Sequence, residues 1–199
     1  MELNIVLDLD ETLIHTYENS NILKELYNKG EDKLKKDIIF LSNNLSCIKR
    51  PYLDEFISFC FKTFRIVIVW SAGSPEYVKE LCEKSFTLYK PYRIYTKDHI
   101  KNIGCKRGIC DYHKPLIEIF KENPGMNLKN TFIVDDKLTN FIQSNPYNGI
   151  LIPPYEPNTE KEILSDDRAL YMLMLYFSDI NVIKSKDVQE LKKDITFII

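Results

Sequence analysis

Three stretches of the sequence carry residues able to do chemistry together. Asp8 and Asp10 stand one residue apart, with Thr12 close behind, after the apolar run Leu3-Asn4-Ile5-Val6. Ser71-Ala72-Gly73 follows a second run, Phe64-Arg65-Ile66-Val67-Ile68-Val69-Trp70. Asp135-Asp136 follows a third, Thr131-Phe132-Ile133-Val134. Lys114, before Pro115, heads a predicted helix. A carboxylate beside an apolar core is costly without a partner, so two of them at one strand end suggest a cation, a phosphate or both. Several carboxylates, one lysine, hydroxyls and the N–H groups of helix starts suit Mg²⁺ and a phosphate. Mg²⁺ takes oxygen ligands and keeps waters, so one or two carboxylates plus phosphate oxygens suffice.

Such residues work only if the fold gathers them. The three apolar runs read as buried strands, and that at 64–70 as a central parallel one. Strands alternate with helical patterns, which predicts an α/β fold: a Rossmann-like, mostly parallel sheet with helices on both faces. The polar residues at the strand ends then share one edge, where such sheets bind ligands.

Between these strands, Asp37–Leu41 and Leu45–Lys49 flank Ser42-Asn43-Asn44 and read as a β-hairpin. Residues 14–49 form a small insertion, short for a cap domain, so an open site is expected. Arg50-Pro51 is expected to begin a helix. Ser74-Pro75 is a helix start, and the helix returns through Tyr77, Val78 and Leu81. Arg93–Thr96 reads as a short strand, 97–113 as irregular, and Gly149–Ile152 as a last strand. Thr159-Glu160-Lys161-Glu162 is a capping box, predicted to open one long helix to about Tyr176. Residues 185–193 read as a final amphipathic helix in a C-terminal helical extension over 179–199. The expectation is a single domain spanning 1–199.

Composition narrows the function classes. Net charge is −2, hydrophobic content 44% and charged content 28%, so nothing points to nonspecific nucleic-acid binding. No apolar run approaches the roughly 20 residues of a membrane span, and the N-terminus leads straight into a strand rather than a signal peptide. Five cysteines without a CxxC pair suggest free thiols in an intracellular compartment. His99, Cys105, Cys110 and His113 fit no common zinc spacing, and zinc is not expected. Trp70 reads as core, and Lys33-Leu34-Lys35-Lys36 as a solvated face. The frequency of Asn, Ile and Lys suits an AT-rich genome, a microbe's or a virus's.

Asp8-Leu9-Asp10-Glu11-Thr12-Leu13-Ile14-His15 resembles the DxDx[TV] motif of the haloacid dehalogenase superfamily. More narrowly it resembles the DLDETL[VI]H signature of the RNA polymerase II CTD phosphatase group, small-CTD-phosphatase or NLI-interacting-factor-like. Arg50-Pro51-Tyr52-Leu53-Asp54-Glu55-Phe56 is similar to that group's RPxxxEF segment, and Trp70-Ser71-Ala72-Gly73 stands where its members have Thr-Ala-Ser. Lys114 matches the third-motif lysine and Val134-Asp135-Asp136 the fourth motif. The resemblance spans roughly residues 3–178.

What the resemblance implies is a haloacid-dehalogenase-like fold without a large cap and a Mg²⁺-dependent protein phosphatase. Asp8 would be the nucleophile that becomes an aspartyl phosphate, and Asp10 the general acid and then base. Mg²⁺ would be held by Asp8, the Asp10 carbonyl and an acid of the Asp135/Asp136 pair. By alignment Asp136 is the ligand and Asp135 partners Lys114, but the Asp-Asp pair leaves both open. Ser71, with the N–H groups of Ala72 and Gly73, would hold phosphoryl oxygens beside Lys114, and Thr12 would fix the loop there. Ser71 and Gly73 depart from the usual threonine and serine. Tyr95, Arg107 and Tyr112 are peptide-contact candidates by position, and His15 is structural or near the peptide groove.

The implied substrate is a phosphoserine or phosphothreonine protein of Ser-Pro type, with the RNA polymerase II tail favoured, in nucleus or cytoplasm or, for a viral protein, in the host cell. Rival readings are a phosphatase for small metabolites or polynucleotide ends, and a non-catalytic phosphoprotein-binding scaffold. Retention of Asp8, Asp10, Lys114 and the fourth-motif acids argues against the scaffold.

Overall fold

The computed structural model describes residues 2–18, 21–30, 32–106 and 109–197, and their side chains except at 32–33 and 101–112. In chain order the strands are β1 (Asn4–Leu7), β2 (Ile14–Glu18), β3 (Ile38–Phe40), β4 (Leu45–Lys49), β5 (Ile66–Trp70), β6 (Arg93–Tyr95), β7 (Lys101–Lys106), β8 (Ile109–His113), β9 (Thr131–Asp135) and β10 (Gly149–Leu151). The helices are α1 (Asn21–Lys29), α2 (Asp32–Lys35), α3 (Leu53–Thr63), α4 (Pro75–Ser85), α5 (Leu116–Phe120), α6 (Glu160–Ile163), α7 (Ala169–Ser178) and α8 (Ile180–Ile183).

β1 is the middle of a five-stranded sheet ordered β10-β9-β1-β5-β6, parallel throughout. Side chains alternate across it. Ile5, Leu7, Val67, Val69, Phe132 and Val134 pack in one buried cluster with residues of α3, α4 and α7, such as Phe56, Leu81 and Leu173. Val6, Ile66, Ile68, Trp70 and Ile133 pack in another with Leu116 and Ile119 of α5. Helices therefore cover both faces, the predicted α/β arrangement. The near-continuous apolar character of β1, β5 and β9 is what burial on both faces requires.

The insertion is larger in strand content than a hairpin. β3 and β4 form the predicted hairpin, turning at Asn44 with φ 65°. β2 adds to the other side of β4, so the sheet is β2-β4-β3. Arg50, just after β4, anchors it. Its guanidinium donates to both oxygens of Asp167 (3.0 and 2.8 Å), to the Thr12 carbonyl (3.1 Å) and to the Pro153 carbonyl (2.8 Å).

Several boundaries differ from the sequence reading. α3 begins at Leu53 rather than Pro51, because Tyr52 takes a left-handed backbone at φ 66°. Residues 97–113 are not irregular: a 3-10 turn over Lys97–His99 leads into the antiparallel pair β7–β8. The capping box at Thr159 forms, but it opens only α6. The expected long helix breaks there because Asp167 turns inward to Arg50 and also accepts from the Ala169 N–H (2.9 Å) at the head of α7. In place of an amphipathic helix over 185–193 there is a 3-10 turn at Val188–Glu190, preceded by α8 and followed by an irregular tail. Among the described residues no helix is long and apolar enough to cross a membrane.

Candidate active site

The three chemical stretches lie at the carboxyl ends of adjacent strands. Asp8 follows β1, Ser71 follows β5 and Asp135 ends β9. The Asp8 N–H donates to the Val134 carbonyl (3.1 Å), which fastens the first end to the third. Beyond Asp10 the loop folds back on itself. Leu13 and Ile14 both donate to the Leu9 carbonyl (2.8 and 3.1 Å), and Glu11 adopts φ 59°. The Lys114 N–H donates to the Asn140 carbonyl (2.6 Å), which holds the end of β8 against the turn that follows β9.

Lys114 is the electrostatic centre. Its ammonium, fully buried, donates to Asp8 Oδ1 at 2.5 Å and to Asp135 Oδ2 at 2.7 Å. Burial works against that charge, but Asp135 and Asp8 more than restore it and hold the lysine above its ordinary range. Burial also pushes the Asp8 carboxyl well up; Lys114 pulls the other way, while Asp135 and Asp10 add to the rise.

Asp135 is fully committed to this support. Beyond Lys114, its Oδ1 accepts from Asn140 Nδ2 (2.7 Å) and the Lys137 N–H (2.9 Å). Asp136 is half-buried. It meets Thr12, whose hydroxyl accepts from the Asp136 N–H (3.0 Å) and donates to Asp136 Oδ1 (3.3 Å). Burial, with Asp135 beside it, raises the Asp136 carboxyl to about 6. Carboxylate oxygens of Asp8, Asp135 and Asp136 lie within 4.8 Å of one another. An all-oxygen set carrying more carboxylate than Lys114 can neutralise fits a hard divalent cation. With Asp135 already spoken for, Asp8 and Asp136 are the side chains free to hold it.

Asp10 is set differently. Ser71 Oγ donates to its Oδ2 (3.0 Å), and the Tyr77 hydroxyl donates to its Oδ1. Burial raises the Asp10 carboxyl, and the bonds from Tyr77 and Ser71 oppose that rise without cancelling it. The Ser71 hydroxyl in turn accepts from the Gly73 N–H (2.9 Å). One carboxyl therefore faces an ammonium and its neighbour faces hydroxyls.

The sequence model of the NLI interacting factor-like phosphatases matches residues 3–189. The chain belongs to this family. It is 35% identical over 142 residues to the ubiquitin-like domain-containing CTD phosphatase 1 of Danio rerio, covering 67% of this chain and 42% of that protein. The Xenopus tropicalis protein of the same name is 33% identical over 168 residues, covering 76% of this chain and 50% of that one. The chain thus spans half or less of the length of these relatives. Among solved structures it resembles the fission yeast RNA polymerase II CTD phosphatase Fcp1 (TM-score 0.59, 18% identity, 78% of this chain and 42% of that one). It also resembles the HAD-hydrolase YfnB of Bacillus subtilis (TM-score 0.54, 14% identity, 89% and 99%). At these identities the likeness is one of fold, and it is haloacid-dehalogenase-like.

In this member of the family, the sequence-derived set comes together only in part. Asp8, Lys114 and Asp135 are bonded together, Thr12 is bonded to Asp136, and Ser71 to Asp10. The groups expected to hold phosphate or to fix the loop beside it bond within the site. The Thr12 hydroxyl is spent on Asp136, and the Ser71 hydroxyl is turned onto Asp10. The Gly73 N–H is spent on Ser71, and Ala72 is exposed beside it. Tyr95, a peptide-contact candidate by position, is buried against Trp70, and its hydroxyl accepts from Asn123 Nδ2 (2.8 Å) and donates to Glu122 (3.2 Å). Arg107 lies outside the described residues, as does the side chain of Tyr112 on β8. So do the side chains of Cys105 and Cys110, while His99 Nδ1 accepts from the Thr96 N–H (3.1 Å). Trp70 is fully buried, as core, and His15 meets Glu11 at 3.2 Å. Tyr77 and Asn140 escaped the sequence reading. Tyr77 was legible only as an apolar position of α4, and nothing near Asn140 marks it.

Proposed function

We propose that the chain is a Mg²⁺-dependent phosphoserine/phosphothreonine protein phosphatase working through an aspartyl phosphate on Asp8. The observation that supports it most is the unequal setting of two aspartates at one strand end: Asp8 against Lys114, Asp10 between two hydroxyls. Asp8 attacks phosphorus, the phosphorus–oxygen bond to the leaving group breaks, and Asp10 protonates the departing alkoxide. Asp10, now a carboxylate, takes a proton from water as that water attacks the aspartyl phosphate. The bond to Asp8 breaks and inorganic phosphate leaves. Lys114 and Asp135 hold Asp8 in place through both halves. Mg²⁺ held by Asp8 and Asp136 would offset repulsion between the nucleophile and the phosphate dianion.

The names of the relatives favour the RNA polymerase II C-terminal domain as substrate. The small insertion sheet, in place of a large cap, suits a peptide chain. The test is phosphate release with Mg²⁺ from Ser-Pro phosphopeptides, wild type beside Asp8→Asn. Release by wild type alone is expected. Equal release by both proteins removes Asp8 from its role, and release from nucleotides or small metabolites but not peptides reassigns the substrate.

A further inference from the structure

We propose that Tyr77 is a positioning residue for Asp10, its hydroxyl backed by Thr16 and together fixing the orientation of the acid–base carboxyl. This role rests on the phosphatase reading above. Tyr77 lies in the first turn of α4, half-buried, and its hydroxyl touches Asp10 on one side and Thr16 Oγ1, 2.7 Å away, on the other. Thr16 belongs to β2, and its hydroxyl meets Cys47 Sγ of the adjoining β4 at 3.2 Å. The insertion sheet therefore reaches the catalytic carboxyl through two hydroxyls. With Ser71 on Oδ2, both oxygens of Asp10 are held by neutral groups from different elements.

Neutral hydroxyls suit a group that must alternate between acid and carboxylate. A hydroxyl both donates and accepts. Tyr77 can donate to the carboxylate while accepting from Thr16, or accept from the carboxylic acid while donating to Thr16, with the Cys47 thiol completing either chain. An ammonium in its place would favour the carboxylate alone. Gly73 makes the arrangement possible. A Cβ there would lie 2.6 Å from Tyr77 Cδ1 and 3.0 Å from Cε1. The absence of a side chain at Gly73 thus leaves room for this placement of the ring.

The test separates leaving groups. Alkoxide release from a phosphoserine peptide needs a proton from Asp10, whereas p-nitrophenolate departs without one. First-turnover leaving-group release is measured on both substrates for wild type, Tyr77→Phe, Thr16→Val and Thr16→Ser. Tyr77→Phe is expected to slow the peptide reaction about tenfold or more and to change p-nitrophenyl phosphate by less than about twofold. Thr16→Val should shift the same ratio in the same direction, and Thr16→Ser should restore it; this pair decides the matter if Tyr77→Phe does not fold. Equal slowing on both substrates, or no slowing on the peptide, overturns the role. A wild-type protein silent on both substrates overturns the phosphatase reading instead.

Discussion

At the scale of single residues, Lys114 decides whether the site holds together. Two buried carboxylates lean on one buried ammonium at 2.5 and 2.7 Å. Breaking such a pairing from one side leaves uncompensated charge, a loss of about 3–5 kcal/mol. Lys114→Met is therefore expected to lower urea-unfolding stability by about that amount and to abolish turnover. A change below about 1 kcal/mol would show that the carboxylates find other partners. Asp8, Asp10, Lys114 and the Asp135-Asp136 pair were legible in the sequence because each abuts a strand or helix signal and keeps a motif spacing. Tyr77 was not, because its hydroxyl partners lie 67 and 61 residues away and its own position reads as one more apolar residue of a helix.

At the scale of elements, the site depends on how the insertion sheet is moored. Arg50 leaves β4 and meets Asp167 between α6 and α7, both buried, while also holding the carbonyl of Thr12. Arg50→Met is expected to cost about 3–5 kcal/mol, because Asp167 is left buried without its partner. It should also cost activity beyond the loss of folded protein, since the loop that carries Asp10 and Thr12 loses its support. Urea unfolding paired with kcat on correctly folded protein separates the two; full activity in the folded fraction would contradict the mooring. The same contact explains one misread element. A capping box and an apolar stripe forecast one helix, and only a partner 117 residues away shows that Asp167 must turn inward. The β7–β8 pair stayed hidden because its polar, glycine-containing stretch lacks the alternation that marks a half-buried strand. The parallel core was readable because burial on both faces leaves a run of apolar residues that local sequence alone reveals.

At the scale of the whole molecule, the acidic site links stability to pH. The Asp136 carboxyl sits at about 6 in the fold against an ordinary 3.8. Between those values the folded state retains a proton that the unfolded chain has released, so this group makes stability fall as pH rises through the window. Asp8 and Asp10, also raised, act with the same sign. In metal-free protein the thermal midpoint of Asp136→Asn relative to wild type should therefore climb from pH 4 to pH 7, as sampled in roughly half-unit steps. A constant difference would contradict it. Mg²⁺ should raise the wild-type midpoint more at neutral than at acidic pH, because below about 6 it must displace a proton from Asp136.

The covalent role of Asp8 is tested most directly by acid quench and peptide mass spectrometry after mixing with Mg²⁺ and an aryl phosphate. Wild type should show a transient phosphoryl group on the peptide carrying Asp8. Asp10→Asn should show it persisting, since the leaving group needs no proton but hydrolysis still needs a base, and Asp8→Asn should show none. Phosphate release with no phosphoryl group on that peptide in either of the first two proteins, or a label that survives Asp8→Asn, would contradict the nucleophile assigned to Asp8.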